Sequence, residues 1–592
     1  MELASGRSLI IWPYSITRMN RAPRAPEIAD EPPSISVPPN ETPSYLRLRD
    51  GFWLLGIVLA VFQAWTSRYF VTTDAVAYMD MSDGVLRGQD WHRLINGVWS
   101  PLYPALLGLF RGIFQPSAPQ EIAFDHLLNI PIFLLAFAAF EFLLSTVDRK
   151  FISSFSRDGF SLPRWGFLAL GYTLFIWASI SAITLESLRP DMLMSGFLYL
   201  AVALLVRLRG QRPNLRFYAA LGVVLGVSFL VKAPMLPIGM LILAASVLIA
   251  KDRRRALPMA VCSAVICFLI GSLYFVPLSR ALGHFTLGES GRFNYILYAD
   301  HAGPDMYLTN GGTAAGVQVH RTRQIFRDPP TYEFSIGEPV THPLRFDPSY
   351  WTQGLKPTFR MRDQFNAVMQ DVYVYKDILL KLAGVVLGLA ALCSFRTAGS
   401  RLSQDLVEGW PLWLIGVAGI AMYASVHVEP RYVGAFFVLF WLGLIVGIGR
   451  RGKNPRIVGG IVIAIALSLI VPTARAAYAP RLFRWNPRRN VEAEVAQTLP
   501  RFGVHPGDPV ARISTAGDLG WARTARVTII AEIDWETGAK TFWKSDPVIQ
   551  AEVLEALHKT GAKCVVAHVW TDVTAPGWYR VSWTRYWIYP FN

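Results

Sequence analysis

Residues 52–69 read FWLLGIVLAVFQAWTSRY, and residues 70–80 follow as FVTTDAVAYMD. The first stretch carries no charged side chain before Arg68. It has the length of a bilayer-crossing helix, roughly 17–25 residues. The acidic residue Asp74 stands just past its end. Further apolar runs lie at about 122–146, 166–185, 191–206, 217–232, 235–250, 257–277, 377–395, 409–426, 430–449 and 457–473. Pro234 and Pro237 mark a break between two of them, because proline cannot continue a helical hydrogen-bond ladder. The pattern predicts an α-helical polytopic membrane protein with about eleven transmembrane helices.

Composition agrees. Over 592 residues the apolar fraction is 52% and the charged fraction only 17%, with a mean hydropathy of +0.32. A soluble domain carries about 25% charged residues, so disorder and an ordinary soluble enzyme are both disfavoured. In a soluble chain the net charge of +15 would point to nucleic acid. Here the basic residues cluster in short loops between apolar runs, and membrane topology accounts for them with no nucleic-acid partner. The four cysteines form no disulfide framework: Cys262, Cys267 and Cys393 lie in apolar runs and Cys564 stands alone near the end.

The loop charges set an orientation. Basic clusters follow alternate boundaries: Arg149, Lys150, Arg157 and Arg164; Arg207, Arg209, Arg212 and Arg216; Lys251 and Arg253–Arg255; Arg396 and Arg401; Arg450, Arg451, Lys453 and Arg456. The opposite short loops hold one basic residue each, Arg189, Lys232 and Arg431. The positive-inside rule places the clusters and the N-terminus in the cytoplasm. Residues 70–121, 278–376 and everything after about 474 then face outward. The stretch 102–114, LYPALLGLFRGIF, must not cross, or every later loop would invert; it reads as an interfacial or re-entrant helix.

Three regions follow. Residues 1–50, rich in Pro, Ser and Arg, read as a flexible cytoplasmic arm, with Leu9–Trp12 too short for a signal-peptide core. Residues 51–475 form the transmembrane domain. Residues 476–592 alternate strand and helix signals, with helices near 490–499 and 547–560 and strands near 510–514, 526–531, 563–568 and 580–589. That alternation predicts a small extracytoplasmic α/β domain without catalytic residues. Its Trp521, Trp535, Trp543, Trp570 and Trp578 read as core packing before a sugar-binding surface.

The chemistry is sought in the first outer loop, VTTDAVAYMDMSDGVLRGQDWHRLINGVWSPLYP (71–104). Asp74 precedes a helix starting near Ala75, and Asp80 and Asp83 are spaced to lie close together on it. Asp74 has a plain alternative use as that helix's N-cap. Its surroundings, Tyr78, Trp91, Trp99 and Tyr103, are otherwise aromatic and apolar, which suits a general base. Asp80, Asp83 and Asp90 read mainly as surface or capping groups, with Asp80 the exception. The histidines of the outer segments show no metal-ligand spacing; a divalent cation held across loops stays open.

An Asp after the first span, a Tyr four residues on, Gly-Gln-Asp-Trp and then Trp-Ser-Pro-Leu-Tyr-Pro resembles the first loop of the GT-C superfamily of membrane glycosyltransferases. More narrowly it resembles the bacterial branch containing protein O-mannosyltransferases and lipid A aminoarabinose transferases, glycosyltransferase family 39-like. TLESLRPDML (184–193), GVVLGVSFLVKAP (222–234) and His427-Val-Glu-Pro-Arg-Tyr432 resemble later outer-face motifs of that group, so the likeness spans about residues 50–475. The Asp74-Ala75 pair departs from the Asp-Glu pair of the eukaryotic mannosyltransferases, so their protein acceptor is not carried over.

The resemblance implies a catalytic carboxylate at Asp74 and a second functional one at Asp191. Asp80 is kept as a further catalytic candidate. Lys232, Arg189 and Arg431 are candidates for binding the donor phosphate, against the plainer use of snorkelling to the interface. Tyr78, Trp99 and Tyr103 are candidates for holding sugar or acceptor. Glu186 and Glu429 can pair with Arg189 and Arg431. The expected partners are a polyprenyl-phosphate-linked sugar donor and a glycolipid, glycan or protein acceptor, at a bacterial inner membrane. The alternatives are a polysaccharide ligase or polymerase using a polyprenyl-diphosphate donor, and a non-enzymatic transporter or scaffold. A transporter would show internal symmetry and mid-bilayer charges, and the sequence has neither.

Overall fold

The computed structural model of the chain describes residues 43–86, 90–152, 162–300, 316–334, 337–394, 402–448, 455–478, 489–514, 518–533, 538–569 and 576–591. The chain divides into a short unit, Met1–Leu46, and a large one, Arg47–Asn592. The rest of the expected N-terminal arm, Arg157, Arg396, Arg401, Arg450, Arg451 and Lys453 of the basic loops, His301, and Trp535 and Trp570 of the tail lie outside the described residues.

Helices follow the apolar runs. Helix α1 (Pro43–Thr66) leads to α2 (Thr73–Leu86) and α3 (Leu102–Phe114) in the first outer loop. Then come α4 (Glu121–Val147), α5 (Arg164–Trp177), α6 (Asp191–Leu208), α7 (Leu215–Val231), α8 (Met235–Ile249) and α9 (Arg253–Leu282). After the short α10 (Ser290–Asn294), α11 (Pro343–Phe346) and α12 (Pro348–Trp351), long helices resume with α13 (Met361–Lys381) and α14 (Ala383–Ser394). The set closes with α15 (Leu402–Glu408), α16 (Trp410–Ala424), α17 (Pro430–Ile448) and α18 (Pro455–Tyr478).

Six helical stretches among the described residues are long and apolar enough to cross a membrane, or seven if α13 and α14 make one bent span. The expected count of eleven is therefore not reached by length. Helices α7, α8 and α16 occupy expected runs but, at 10–17 residues, fall below that length. The reason for α7 and α8 is local: the chain leaves the helix at Lys232 and restarts after Pro234. The span expected at 377–395 is also different. Its helix starts at Met361 and bends by 65° between α13 and α14. Helix α13 turns polar groups inward: Gln364 donates to the Ser425 carbonyl at 2.7 Å, and Asp371 accepts from Val428 N–H at 2.9 Å. Phe365, Val372, Tyr373 and Leu380 point outward and are exposed. That inverted pattern suits a hydrocarbon surround.

Helix α3 is among the shorter apolar helices. Thirteen residues span only about 20 Å. Its inner side buries Tyr103, Leu107 and Arg111, while Leu109, Ile113 and Phe114 stay exposed. Gly108 lets it press on α2: a Cβ there would lie 2.7 Å from the Ser82 carbonyl oxygen.

The tail carries α19 (Val491–Thr498), α20 (Gly520–Ala525), α21 (Gly538–Lys544) and α22 (Pro547–His558). Its sheet is wider than the tail. Strands β1 (Arg323–Phe326) and β2 (Thr331–Glu333) come from the loop 278–376 and join β3 (Pro509–Ser514), β4 (Thr528–Ile533), β5 (Cys564–His568), β6 (Tyr579–Arg580) and β7 (Tyr586–Pro590). The order is β1-β2-β4-β3-β5-β7-β6. Strands β3, β4 and β5 are parallel, and the flanking pairs are antiparallel. A boundary at 476 thus divides one sheet. Ala511, Ile513, Ala531, Ile533, Val565 and Ala567 pack one sheet face against Phe542, Val553 and Leu557. Trp521 and Trp578 are buried and Trp543 is partly buried.

The other sheet face is also buried and is mixed, with Arg512 and Glu532 in one row with Val566 and Ile588. Burial, with Asp518 adding repulsion, raises the Glu492 carboxyl to about 8. The Tyr586 hydroxyl donates to Glu492 at 3.3 Å, and His568 lies 3.1 Å from Asp518. An acid whose folded pKa is raised stabilises the fold fully below its unfolded pKa, near 4.5, and loses that contribution as pH rises through about 8. The Glu492→Gln variant should therefore unfold at a higher temperature than wild type at pH 8 and at nearly the same temperature at pH 4. Thermal unfolding at both pH values checks this; equal midpoints at pH 8 would refute the buried proton.

Candidate active site

Four elements bring the predicted charges together. Asp74 lies in the first turn of α2, Asp191 in the first turn of α6, Lys232 at the end of α7 and Arg431 in the first turn of α17. They border a cavity of about 460 Å³. Tyr78, Trp99, Tyr423, Glu429 and Tyr432 also line it, and its apolar wall includes Phe229, Leu236, Phe293, Leu297 and Met422.

The ion pairs are specific. Arg431 reaches Asp74 at 3.3 Å, Asp191 at 3.6 Å and Glu429 at 2.8 Å. Lys232 binds Asp191 and stands 4.1 Å from the centre of the Tyr432 ring, a cation–π contact. Burial pushes the Glu429 carboxyl up, but Arg431 more than offsets this and holds it at about 2. Burial, reinforced by Asp74 and Asp191, holds the Tyr78 hydroxyl well above its ordinary value, so it stays protonated.

The capping alternative for Asp74 is taken by another residue. Thr72 Oγ1 accepts from the Ala75 N–H at 3.3 Å, while Asp74 faces Arg431. The two central carboxylates differ in access. The Asp191 side chain is 1% exposed, sealed between Lys232 and Arg431; that of Asp74 is 28% exposed. Asp74 can meet a ligand, whereas Asp191 holds cations in place.

Four of the residues singled out above lie elsewhere. Tyr103 is fully buried behind Tyr78, edge-on at 5.3 Å, and does not line the cavity. Tyr78 also meets Trp99 edge-on at 5.3 Å, and the buried Trp99 indole N–H has no hydrogen-bond partner among the described residues. Arg189 is outside the cavity lining, with its Nε buried. Glu186 lines a separate cavity with Trp177, Lys381 and Pro472. Asp80 faces away from Asp74: one α2 face carries Asp74 and Tyr78 to the cavity, and Asp80 belongs to a buried charge network.

That network joins the tail to α2. Arg523 of α20 binds Asp80 at 2.7 Å, Asp83 at 2.7 Å and Glu121 at 2.8 Å. Arg526 adds contacts to Asp83 at 3.3 Å and Glu121 at 3.0 Å. From α3, Arg111 donates to Asp125 at 2.9 Å and to the Ser82 hydroxyl at 2.8 Å. Burial raises the Asp80 carboxyl, and Arg523 offsets only part of this. Thr341 also donates to Asp80 from its N–H at 2.9 Å and its hydroxyl at 2.8 Å. Arg111 had a signal in the sequence, a charge interrupting an apolar stretch. Arg523 had none, since its partners lie about 400 positions away.

Among the described residues no three His, Cys, Asp or Glu side chains converge as metal ligands. No family model and no curated protein matches the chain. Solved structures are similar at low identity. The apo structure of ArnT from Cupriavidus metallidurans aligns over 91% of this chain and 98% of its own, at 12% identity and a TM-score of 0.39. The same protein bound to undecaprenyl phosphate aligns over 93% and 98%, at 11% identity and 0.40. The apo oligosaccharyltransferase of Archaeoglobus fulgidus aligns over 88% of this chain and 69% of its own, at 13% identity and 0.45.

Proposed function

We propose that this chain is a GT-C-type membrane glycosyltransferase that moves a sugar from a polyprenyl-phosphate donor to an acceptor hydroxyl at the outer face of a bacterial inner membrane. The observation that carries the proposal is the convergence of Asp74, Asp191, Lys232 and Arg431 at one end of an apolar-walled cavity. An apolar wall suits an isoprenoid chain, and two cations at its end suit the phosphate.

The chemistry then follows. Asp74 takes the proton of the acceptor hydroxyl as that oxygen bonds to the anomeric carbon. The bond from that carbon to the phosphate oxygen breaks, and its electron pair leaves with the phosphate. Lys232 and Arg431 stabilise the charge that develops there. Tyr78 and the Trp99 indole N–H are proposed to hold the sugar. Retention of configuration would need a carboxylate nucleophile. Asp191 is sealed between two cations, so direct displacement with inversion is the proposed course.

The N-terminus and basic loops are proposed to be cytoplasmic and the tail extracytoplasmic. Cysteines placed at 251–256 should resist labelling from outside intact cells; labelling there would overturn the orientation and the site with it. The activity is tested by mass spectrometry of envelope glycolipids and glycoproteins with and without the protein. Loss of one sugar, restored by purified enzyme and a polyprenyl-phosphate sugar, is the expected result. Restoration only by a polyprenyl-diphosphate donor would establish the ligase or polymerase instead.

A further inference from the structure

Of the tail tryptophans described, Trp521, Trp578 and Trp587 are buried and Trp543 is partly buried, while Trp583 is 86% exposed. That exposure is built into a fixed turn. Trp583 stands at the tip of the hairpin that joins β6 to β7. The Val581 N–H donates to the Tyr586 carbonyl at 2.9 Å, and the Thr584 N–H to the Val581 carbonyl at 3.0 Å. Arg580 donates from Nε to the Thr584 carbonyl at 2.9 Å and lies over the Trp587 ring. Ser582 takes a left-handed φ of 48°, a conformation found in tight turns. Val581 and Thr584 are buried, so the two residues between them, Ser582 and Trp583, are turned out. Tyr579, on the same hairpin, is 54% exposed.

Two hydrogen bonds tie this tip to the start of a membrane helix. Arg489 donates to the Ser582 hydroxyl at 3.0 Å, and the next residue, Asn490, donates to the Pro119 carbonyl at 2.8 Å. Pro119 lies at the start of the stretch Ala118–Ile152, which is long and apolar enough to cross a membrane. The 27 residues of α4 measure about 40 Å against a hydrocarbon core of about 30 Å, so the ends of this helix reach the headgroup layers. Just ahead of Pro119, α3 leaves Leu109, Ile113 and Phe114 exposed, and Phe114 packs on Phe124 in the first turn of α4, with ring centres 5.3 Å apart. A single exposed tryptophan on a water-facing surface needs no explanation. Beside a bilayer boundary the same side chain has a preferred place, its apolar rings against lipid and its N–H toward headgroups and water. We propose that the β6–β7 hairpin is a membrane-interface anchor, with Trp583, backed by Tyr579, seated in the lipid headgroup layer beside the N-terminal end of α4. Together with the Arg523 clamp on α2 it holds the tail at two points. The anchor is independent of the transferase reading and of which side the tail faces, because α4 fixes the hairpin at one membrane boundary.

The test uses the full-length protein in phospholipid nanodiscs. Cys262, Cys267, Cys393 and Cys564 are replaced by Ala, and a spin label is attached at Trp583→Cys or, as a reference, at Glu552→Cys. Glu552 is exposed on α22, which packs on the sheet face opposite Tyr586. Collisions with oxygen, which concentrates in lipid, are compared with collisions with a nickel chelate, which stays in water. The label at 583 should favour oxygen, and the label at 552 should favour the chelate. Equal access of the chelate to both sites would overturn the anchor. Shielding of 583 from both collision partners would overturn it as well, and spin–spin broadening would then identify a second copy of the chain as the cover. A second measurement keeps the native cysteines. Brominated phospholipids should quench more tryptophan emission in wild type than in Trp583→Phe, with the unfolding midpoint in detergent unchanged; equal quenched emission in the two proteins would refute the contact with lipid.

Discussion

Replacing Asp74 by Asn should lower turnover by ~10²–10⁴, the usual contribution of a general base. The substitution keeps size and most hydrogen-bonding capacity and removes basicity. It also removes an ion-pair partner of Arg431, which retains Glu429 and Asp191. The helix start is left intact, because Thr72 caps it. The variant should therefore fold, insert and bind polyprenyl phosphate at near-normal affinity while transferring sugar at close to background. Single-turnover rates on purified protein, with binding measured separately, decide the matter. Near-normal transfer would remove Asp74 as the base. Asp191 is a poor replacement, because it is 1% exposed and already paired with Lys232 and Arg431.

The largest effect on stability is expected at Arg523. Its guanidinium is 2% exposed and contacts Asp80, Asp83 and Glu121. Arg523→Met would leave these carboxylates buried with Arg526 and Arg111 alone to answer them. Breaking a buried ion pair from one side costs about 3–5 kcal/mol. Arg523→Lys keeps the charge but loses the planar fork and should fall between. Because α2 carries both Asp80 and Asp74, loosening this clamp should also lower turnover with Asp74 untouched. A second change, Asp83→Asn, should restore part of the stability lost in Arg523→Met, which a double-mutant cycle reads as coupling. Thermal unfolding in detergent and limited proteolysis of the tail are the measurements. A stability loss below about 1 kcal/mol would show that the network is not what docks the tail.

Local pattern was enough for much of this molecule. A hydrocarbon core demands long apolar runs, so helices could be placed from composition and period alone, the short α3 included. The strand and helix order of the tail was legible for the same reason, since period and turn residues are local. Asp74, Lys232 and Arg431 could be nominated because each stands at the boundary of an apolar run, where a charge is costly unless used, and Asp191 through the resemblance of its loop to a family motif. The places where reading failed are those where distant segments meet. The bend at 382 breaks a run that hydropathy alone counts as one straight span. Strands β1 and β2 are too short to announce themselves, and they exist as strands because β4 offers them an edge. Asp80 stood in the sequence as a further catalytic candidate on the same helix as Asp74. Only the packing of α20 against α2 decided that Asp80 serves the tail and Asp74 the cavity, through an arginine more than four hundred positions away. Sequence spacing reports which groups share an element; which way each group faces depends on what packs against that element, and that is a property of the tertiary structure.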